Sequence, residues 1–294
     1  MVNKKLDGFQ IFSYIFLGVA SIMIVLPFII LIASSFSDEV ALIKYGYKFW
    51  PTHFSTVAYQ YLWQKKELIF RAYFMTILTT VIGTGIGLTI TTMYAYVISR
   101  RDFPLRNLFS FLVFFTMLFN GGLVPTYMIY TNVFDVKNTI WGQIIPSLLM
   151  NGFFVLIMRS YFENNIPNEI LESARVDGAN EFYTFINIVI PLSLPILATM
   201  GLFIGLNYWN DWFNGFIYIT EPKLFTIQNF LNRLIQDIKM LATMGTNIGG
   251  AGQGMPTASV RMAIAVIAVI PILVIYPFFQ KYFVKGITIG AVKG

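Results

Sequence analysis

The chain has 294 residues, of which 56% are hydrophobic and 12% charged, and it carries a formal net charge of +6. That leaves too little polar surface to cover a soluble globule of this length, so the composition points to an integral membrane protein; the positive balance suits anionic lipid headgroups, and no basic soluble face for nucleic acid is present. Cysteine is absent, which excludes disulfides, thiol-attached haem and cysteine-rich metal clusters, and the single histidine, His53, lacks the company that a metal ligand needs.

A crossing of the hydrocarbon core needs about 20 apolar residues. After a short N-terminus, 1–10, the first run (8–37) follows Lys4 and Lys5 and is too long for a signal-peptide core, so it is read as a retained helix. Run 72–99 contains Gly83, Gly85 and Gly87, which suit close helix packing, and a tight turn with Arg100, Arg101 and Arg106 leads into run 107–134. Runs 138–158, 182–210 and 262–280 complete the set. The segment 240–260 is equally free of charge, but Gly245, Gly249, Gly250, Gly252, Gly254 and Pro256 make it a poor helix, and it is assigned to an extramembrane loop, 221–258. The expected fold is all-α integral membrane, with six transmembrane helices over 11–281 and a tail at 282–294. Both termini then share one side. The 20 lysines and arginines divide evenly under either orientation, and only the weight of the short 100–106 turn favours cytoplasmic termini.

Between the fourth and fifth runs lies a charged, glycine-broken stretch, Glu172-Ser-Ala-Arg-Val-Asp-Gly-Ala-Asn180, within the loop 163–192. Asn165 or Asn168 as a cap, Pro167 near the first turn, and Glu169 and Glu172 at the positive end of the dipole predict a helix. Ile170, Leu171 and Ala174 share one face and Glu169, Glu172 and Arg175 the other. Gly178 ends it in the left-handed conformation, and Asn180 caps a second helix bearing Phe182, Phe185, Ile186 and Val189. Such a unit either lies on lipid or docks a cytosolic partner. Glu163, Glu169, Glu172, Asp177 and Glu181 outnumber Arg159 and Arg175, a balance that anionic lipid repels.

Glu172-Ser173-Ala174, Asp177-Gly178-Ala179, Phe185, Ile188, Pro191 and Pro195 resemble, spacing included, the cytoplasmic EAA loop of binding-protein-dependent ABC importer permeases, with Ser173 standing for alanine. The stretch 165–167, Trp209-Asn-Asp211 and the closing 283–294 are similar to the carbohydrate branch of that family, whose transmembrane domain is MetI-like, and to its maltose-type and oligosaccharide members. The resemblance implies a multi-pass subunit of a bacterial plasma membrane. It would pair with a second homologous permease, two cytosolic ABC ATPases and an extracytoplasmic solute-binding protein that delivers the carbohydrate. The loop's first helix would insert into the ATPase, with Glu172 making a charged contact, Ala174 permitting close approach and Asp177-Gly178 forming the turn. No phosphate-binding Gly-rich sequence is present, so ATP and Mg would be held by the partner; no catalytic residue, cofactor or metal is assigned to this chain.

Polar and aromatic residues stranded in the runs are the candidates for the solute pathway: Asn120, Tyr127, Asn151, Asn207, Trp209, Asn210, Asp211 and Trp212. Planar amides and aromatic faces fit a sugar, and an intramembrane acid is a functional hypothesis by default. An interfacial aromatic belt with Asp211 reaching water fits the same residues, and Asn151 also fits a helix-linking hydrogen bond. Asn120, Gly121 and Gly122 break the third run, with Tyr127 and Tyr130 beyond, and a broken helix at membrane depth lines a cavity or is packed in protein. The Gly250–Gly254 stretch lacks the flanking strand and helix of a nucleotide site and is assigned to the outer loop 221–258, a candidate contact for the binding protein. An ABC permease for another small solute is the alternative. A secondary transporter lacks support because neither an inverted repeat nor a dense set of intramembrane acids is present. A membrane hydrolase lacks a nucleophile with its base, and Glu172 and Asp177, five apart, do not share a helical face.

Overall fold

A computed structural model describes residues 8–247 and 257–291. Among these the regular structure is helical, with one isolated antiparallel bridge between Ser37 and Phe54. In chain order the α-helices are α1 (Gly8–Ser35), α2 (Glu39–Tyr45), α3 (Val57–Gln64), α4 (Lys66–Ser99), α5 (Arg106–Leu118), α6 (Leu123–Met128), α7 (Trp141–Ile144), α8 (Gly152–Asn165), α9 (Asn168–Val176), α10 (Glu181–Thr184), α11 (Ile190–Leu192), α12 (Leu194–Asn210), α13 (Phe213–Tyr218), α14 (Ile227–Asn247) and α15 (Ala258–Ala291). Wider π-turns occupy Ile129–Val133 and Phe185–Val189.

Three helices are long and apolar enough to cross a membrane: α1, α4 and α15 through Ile275. Two bent pairs also pass, α5 with Leu123–Val133 at 115° and Glu181–Leu192 with α12 at 84°. Run 107–134 is interrupted after α5 at the break expected from Asn120-Gly121-Gly122: Phe119 is extended and Gly122 has φ +87°. Other runs need correction where the backbone breaks. Run 138–158 is helical only in α7 and the start of α8, because Asn138 and Ser147 take positive φ and Pro146 offers no N–H to a helix; α8 instead continues to Asn165. Helix α4 begins at Lys66 rather than at 72, and α15 begins at Ala258 rather than at 262. The tail expected at 282–294 is helical to Ala291. Within the expected outer loop 221–258, α14 buries Ile227, Leu231 and Leu234 at i, i+4 and i+7, and Gly245 lies inside it. The Gly250–Gly254 stretch lies outside the described residues.

The chain divides into two compact units, 1–66 with 233–272 and 67–232 with 273–294. In the first, α1 exposes Phe9, Phe12, Ile15, Phe16 and Ile22 along its length, the surface of a helix covered by lipid or by another apolar face. Asp38 caps α2 by accepting from the Val40 and Ala41 N–H groups. Its neighbour Glu39 sits on the N-terminus of α15, accepting from the Ala258 N–H (2.8 Å), the Ser259 N–H (2.9 Å), the Ser259 hydroxyl (2.8 Å) and the Thr257 hydroxyl (3.0 Å). Burial pushes the Glu39 carboxyl up, yet these bonds outweigh it and hold the pKa below the ordinary value.

In the second unit one cluster joins α4 (Ala95, Tyr96, Ile98), α5 (Val113), α8 (Val155, Met158, Phe162), α9 (Leu171) and the turn Phe185–Val189. Small residues on α4 set a second contact. A Cβ on Gly83 would lie 2.5 Å from the Tyr208 ring, and one on Gly87 would lie 3.0 Å from the Leu149 carbonyl oxygen; Gly85 faces open space. The Tyr208 hydroxyl then donates to the Ile144 carbonyl at 2.9 Å, fixing α12 against the end of α7.

Candidate functional site

Helix α9 starts from extended Pro167, whose side chain offers no cap; Asn165 instead donates to the Tyr161 carbonyl, and Asn168 is the first helical residue. Its inner face is narrower than the sequence predicts: Leu171 and Ala174 are buried, whereas Ile170 is 40% exposed. The C-terminal turn closes with Asp177 N–H to Ser173 O, Gly178 N–H to Arg175 O and Ala179 N–H to Ala174 O. Gly178 has φ +79° with open space where a Cβ would stand, so glycine is required there by backbone conformation and not by crowding. Asn180 then caps α10, accepting from the Tyr183 N–H at 2.7 Å. Of the predicted second stripe, Phe185 and Val189 are buried while Phe182 and Ile186 are exposed; the π-turn departs from the 3.6-residue period that the prediction assumed.

An open groove of about 760 Å³ runs between α9 and α10, lined by Glu169, Ile170, Ser173, Ala174, Gly178 and Tyr183. The acids of the loop divide into two groups. Glu169, Glu172 and Asp177 are exposed, and their side chains hold no hydrogen bond or ion pair with the described residues. Glu163 pairs with Arg159 at 3.0 Å. Glu181 accepts from Arg175 at 2.8 Å, from the Tyr96 hydroxyl at 3.1 Å and from Arg100 at 3.4 Å.

Asp102 completes that second group, accepting from Arg100 through both oxygens (3.0 and 3.1 Å) and from Arg175 at 2.7 Å. The guanidiniums of Arg100 and then Arg175 hold its carboxyl well below the usual carboxylate range, and Asp102, followed by Glu181, raises the pKa of Arg175. Sequence reasoning passed over Asp102 and Tyr96 because the partners that tie them to the loop, Arg175 and Glu181, lie 73 and 85 residues away. The legible signal was an acid placed directly after Arg100-Arg101 in a chain poor in charge.

The eight polar candidates of the runs have different surroundings. Asn120 accepts from the Gly122 N–H, Asn151 from the Phe153 N–H, and Asp211 from the Phe213 and Asn214 N–H groups, so these three satisfy backbone where helices break. Tyr127 stacks on Tyr218 with centroids 5.7 Å apart. Trp209 is buried against Tyr73, whereas Asn207, Asn210 and Trp212 are exposed. Asn214, absent from the predicted set, is buried and donates to the Pro146 carbonyl at 2.8 Å.

The sequence profile described as "Binding-protein-dependent transport system inner membrane component" matches residues 87–289, a span that includes α9 and α10. The chain is 37% identical over 287 residues to the polygalacturonan/rhamnogalacturonan transport system permease protein YtcP of Bacillus subtilis, covering 97% of this chain and 98% of that one. It is 27% identical to the arabinooligosaccharides transport system permease protein AraQ of Halalkalibacterium halodurans, covering 92% and 91% of the two chains. A chain from the crystal structure of a bacterial ABC transporter involved in the import of the acidic polysaccharide alginate aligns with a TM-score of 0.77 at 29% identity, over 94% of this chain and 96% of that one. The chain therefore belongs to the family of binding-protein-dependent transport system inner membrane components.

Proposed function

We propose that this chain is a permease subunit of an ABC importer for a carbohydrate, forming half of a translocation pathway and moved by a separate ATPase through α9. The observation that carries the coupling role is the α9–Gly178–α10 unit, whose free acids Glu169, Glu172 and Asp177 stand exposed on a backbone that caps itself. Exposed, unpaired carboxylates are suited to charge-assisted bonds with a basic groove on a partner. Glu172, Ser173, Ala174, Asp177, Gly178 and Ala179 make up this surface.

The partners follow from the same reading: a second homologous permease, two cytosolic ATPase subunits that hold ATP and Mg, and an extracytoplasmic solute-binding protein. The chain itself is not an enzyme. It crosses a plasma membrane six times with 163–192 and both termini in the cytoplasm and 221–258 outside. The long and bent apolar helices support the multi-pass part, and α7 with α8 supplies the remaining crossing. The cargo class rests on relatives named for oligosaccharide and polysaccharide transport, and oligosaccharides containing uronic acid are the first to test.

The test is uptake by the purified complex in vesicles. Saccharide entry that needs ATP and the binding protein is expected. Entry driven by an ion gradient with no ATPase bound would overturn the proposal in favour of a secondary transporter.

A further inference from the structure

Resting on the coupling role assigned to α9, we propose that Arg100, Asp102, Arg175 and Glu181 form a joint that hands the motion of α9 directly to α4. Helix α9 is a poor lever by itself. Only Leu171 and Ala174 are buried among its residues, so apolar contact alone leaves a short helix free to rock about that contact. The joint fixes its last turn, because Arg175 reaches Asp102 at 2.7 Å and Glu181 at 2.8 Å. Arg175 stands in sequence between Glu172 and Asp177, so a load applied at those acids falls on either side of it.

Two routes lead from α9 into the helices. Along the chain, motion has to pass the turn at Gly178, the four-residue α10, the π-turn Phe185–Val189 and an 84° bend before it reaches α12. Each break is a place where dihedral angles absorb displacement. Across the joint, the load passes through planar guanidinium–carboxylate contacts to Arg100 and Asp102 at the end of α4, which runs unbroken for 34 residues. The Arg100 side chain is only 13% exposed and also donates to the buried Tyr96 hydroxyl at 3.2 Å, which anchors the α4 end of the joint in the core, while Asp102, Arg175 and Glu181 face solvent and are open to screening by salt.

Helix α4 then meets α12 with no slack. Gly83 holds the Tyr208 ring and Gly87 holds the Leu149 carbonyl, while Tyr208 is tied to Ile144. A shift of α4 therefore carries α12 and the segment ahead of α8, the elements that bear Asn151, Asn207 and Asn210. Arg100, Asp102, Arg175 and Glu181 are positioning residues in this scheme: they touch neither solute nor ATP.

The experiment uses the assembled complex in vesicles, with Asp102→Cys and Arg175→Cys introduced together into this cysteine-free chain and closed with a short bis-methanethiosulfonate, which forms a disulfide to each cysteine as methanesulfinate leaves. The open pair should retain the ATPase and hydrolyse ATP, while sugar moved per ATP falls about tenfold, the effect of losing a coupling of the size that charge networks carry. Closing the link should restore transport to within about twofold of wild type, well under the tenfold step of 1.4 kcal/mol. Wild-type stoichiometry in the open pair, or arrest on closing, would overturn the joint. Should the cysteine pair fail to assemble, Arg175→Gln and Asp102→Asn are measured singly and together. Each alone should cost as much as both; additive losses count against the proposal. Glu172→Lys is run in parallel, because a Glu172→Lys complex that keeps its ATPase and transports normally rejects the coupling role itself, whatever the joint variants do.

Discussion

The α9–α10 loop and the broken segments at 119–122, 145–151 and 211–214 both place polar residues among apolar runs, but they spend them differently. In the loop the backbone closes its own turns through Gly178 and the Asn180 cap, which leaves Glu169, Glu172 and Asp177 unpaired at the surface. In the broken segments the polar side chains are consumed by the breaks: Asn120, Asn151 and Asp211 cap exposed N–H groups, and Asn214 and Tyr208 satisfy the carbonyls of Pro146 and Ile144. A backbone polar group left bare in an apolar surrounding costs several kcal/mol, of order 4–8 against hydrocarbon, so a break has to be capped before any side chain is available for solute. A stranded Asn or Asp therefore marks a break first. Within the predicted pathway set, Asn207, Asn210 and Trp212 are the exposed side chains not used in this way.

The largest expected effect that sharpens the contrast is at Gly83. Valine there would press on the Tyr208 ring that Ile144 holds in place, and overpacking of this kind costs about 1–3 kcal/mol. The Tm of the detergent-solubilised protein should fall and transport should fail, with ATPase binding unchanged. Gly178→Val comes next: a side chain at φ +79° costs about 1–2 kcal/mol, confined to the turn. Here the ATPase should be lost on co-purification while the Tm of the remaining protein holds.

Asp211 separates capping from solute contact more finely. Asp211→Ala should lower stability by about 1 kcal/mol, the usual cost of a lost N-cap, whereas Asp211→Asn should be nearly silent in both Tm and transport. Wild-type stability in Asp211→Asn with transport abolished would show instead that the charge itself serves the pathway. The smallest effect is a pH response in the ion network. Because the Asp102 carboxyl is held far below its ordinary value, its contribution is complete above the unfolded value of about 4 and is lost as pH falls through the lower folded value. Sugar moved per ATP should thus be flat from pH 8 to about pH 5 as far as this group is concerned, and a decline within that window would assign the coupling to a different titrating group.

The loop was legible in the sequence because every rule it obeys is local: a proline at the start, glycine at the end, asparagine as the next cap. The spans were legible as apolar runs, and Asn120-Gly121-Gly122 made the break at Phe119–Gly122 legible too, yet hydropathy counts residues and does not see backbone angles, so the irregular backbone around Pro146 was missed. Helix α14 was hidden by attention to the glycines that follow it, although Ile227, Leu231 and Leu234 already carried its period. Of the joint between α4 and α9 only the acid after Arg100-Arg101 was legible, since Arg175 and Asp102 lie 73 residues apart and Arg100 and Glu181 lie 81 apart. Pairing across such a separation is fixed by the packing of α4 against α8 and the Phe185 turn, which no local pattern encodes.

The central claim is that the unpaired acids of α9 hold the engine of transport. It is tested most directly by purifying the complex with Glu172→Lys and measuring ATPase retention alongside ATP-driven uptake in vesicles. The account predicts a folded permease with wild-type Tm, little ATPase bound and no uptake. A Glu172→Lys complex that keeps its ATPase and imports at the wild-type rate would contradict it.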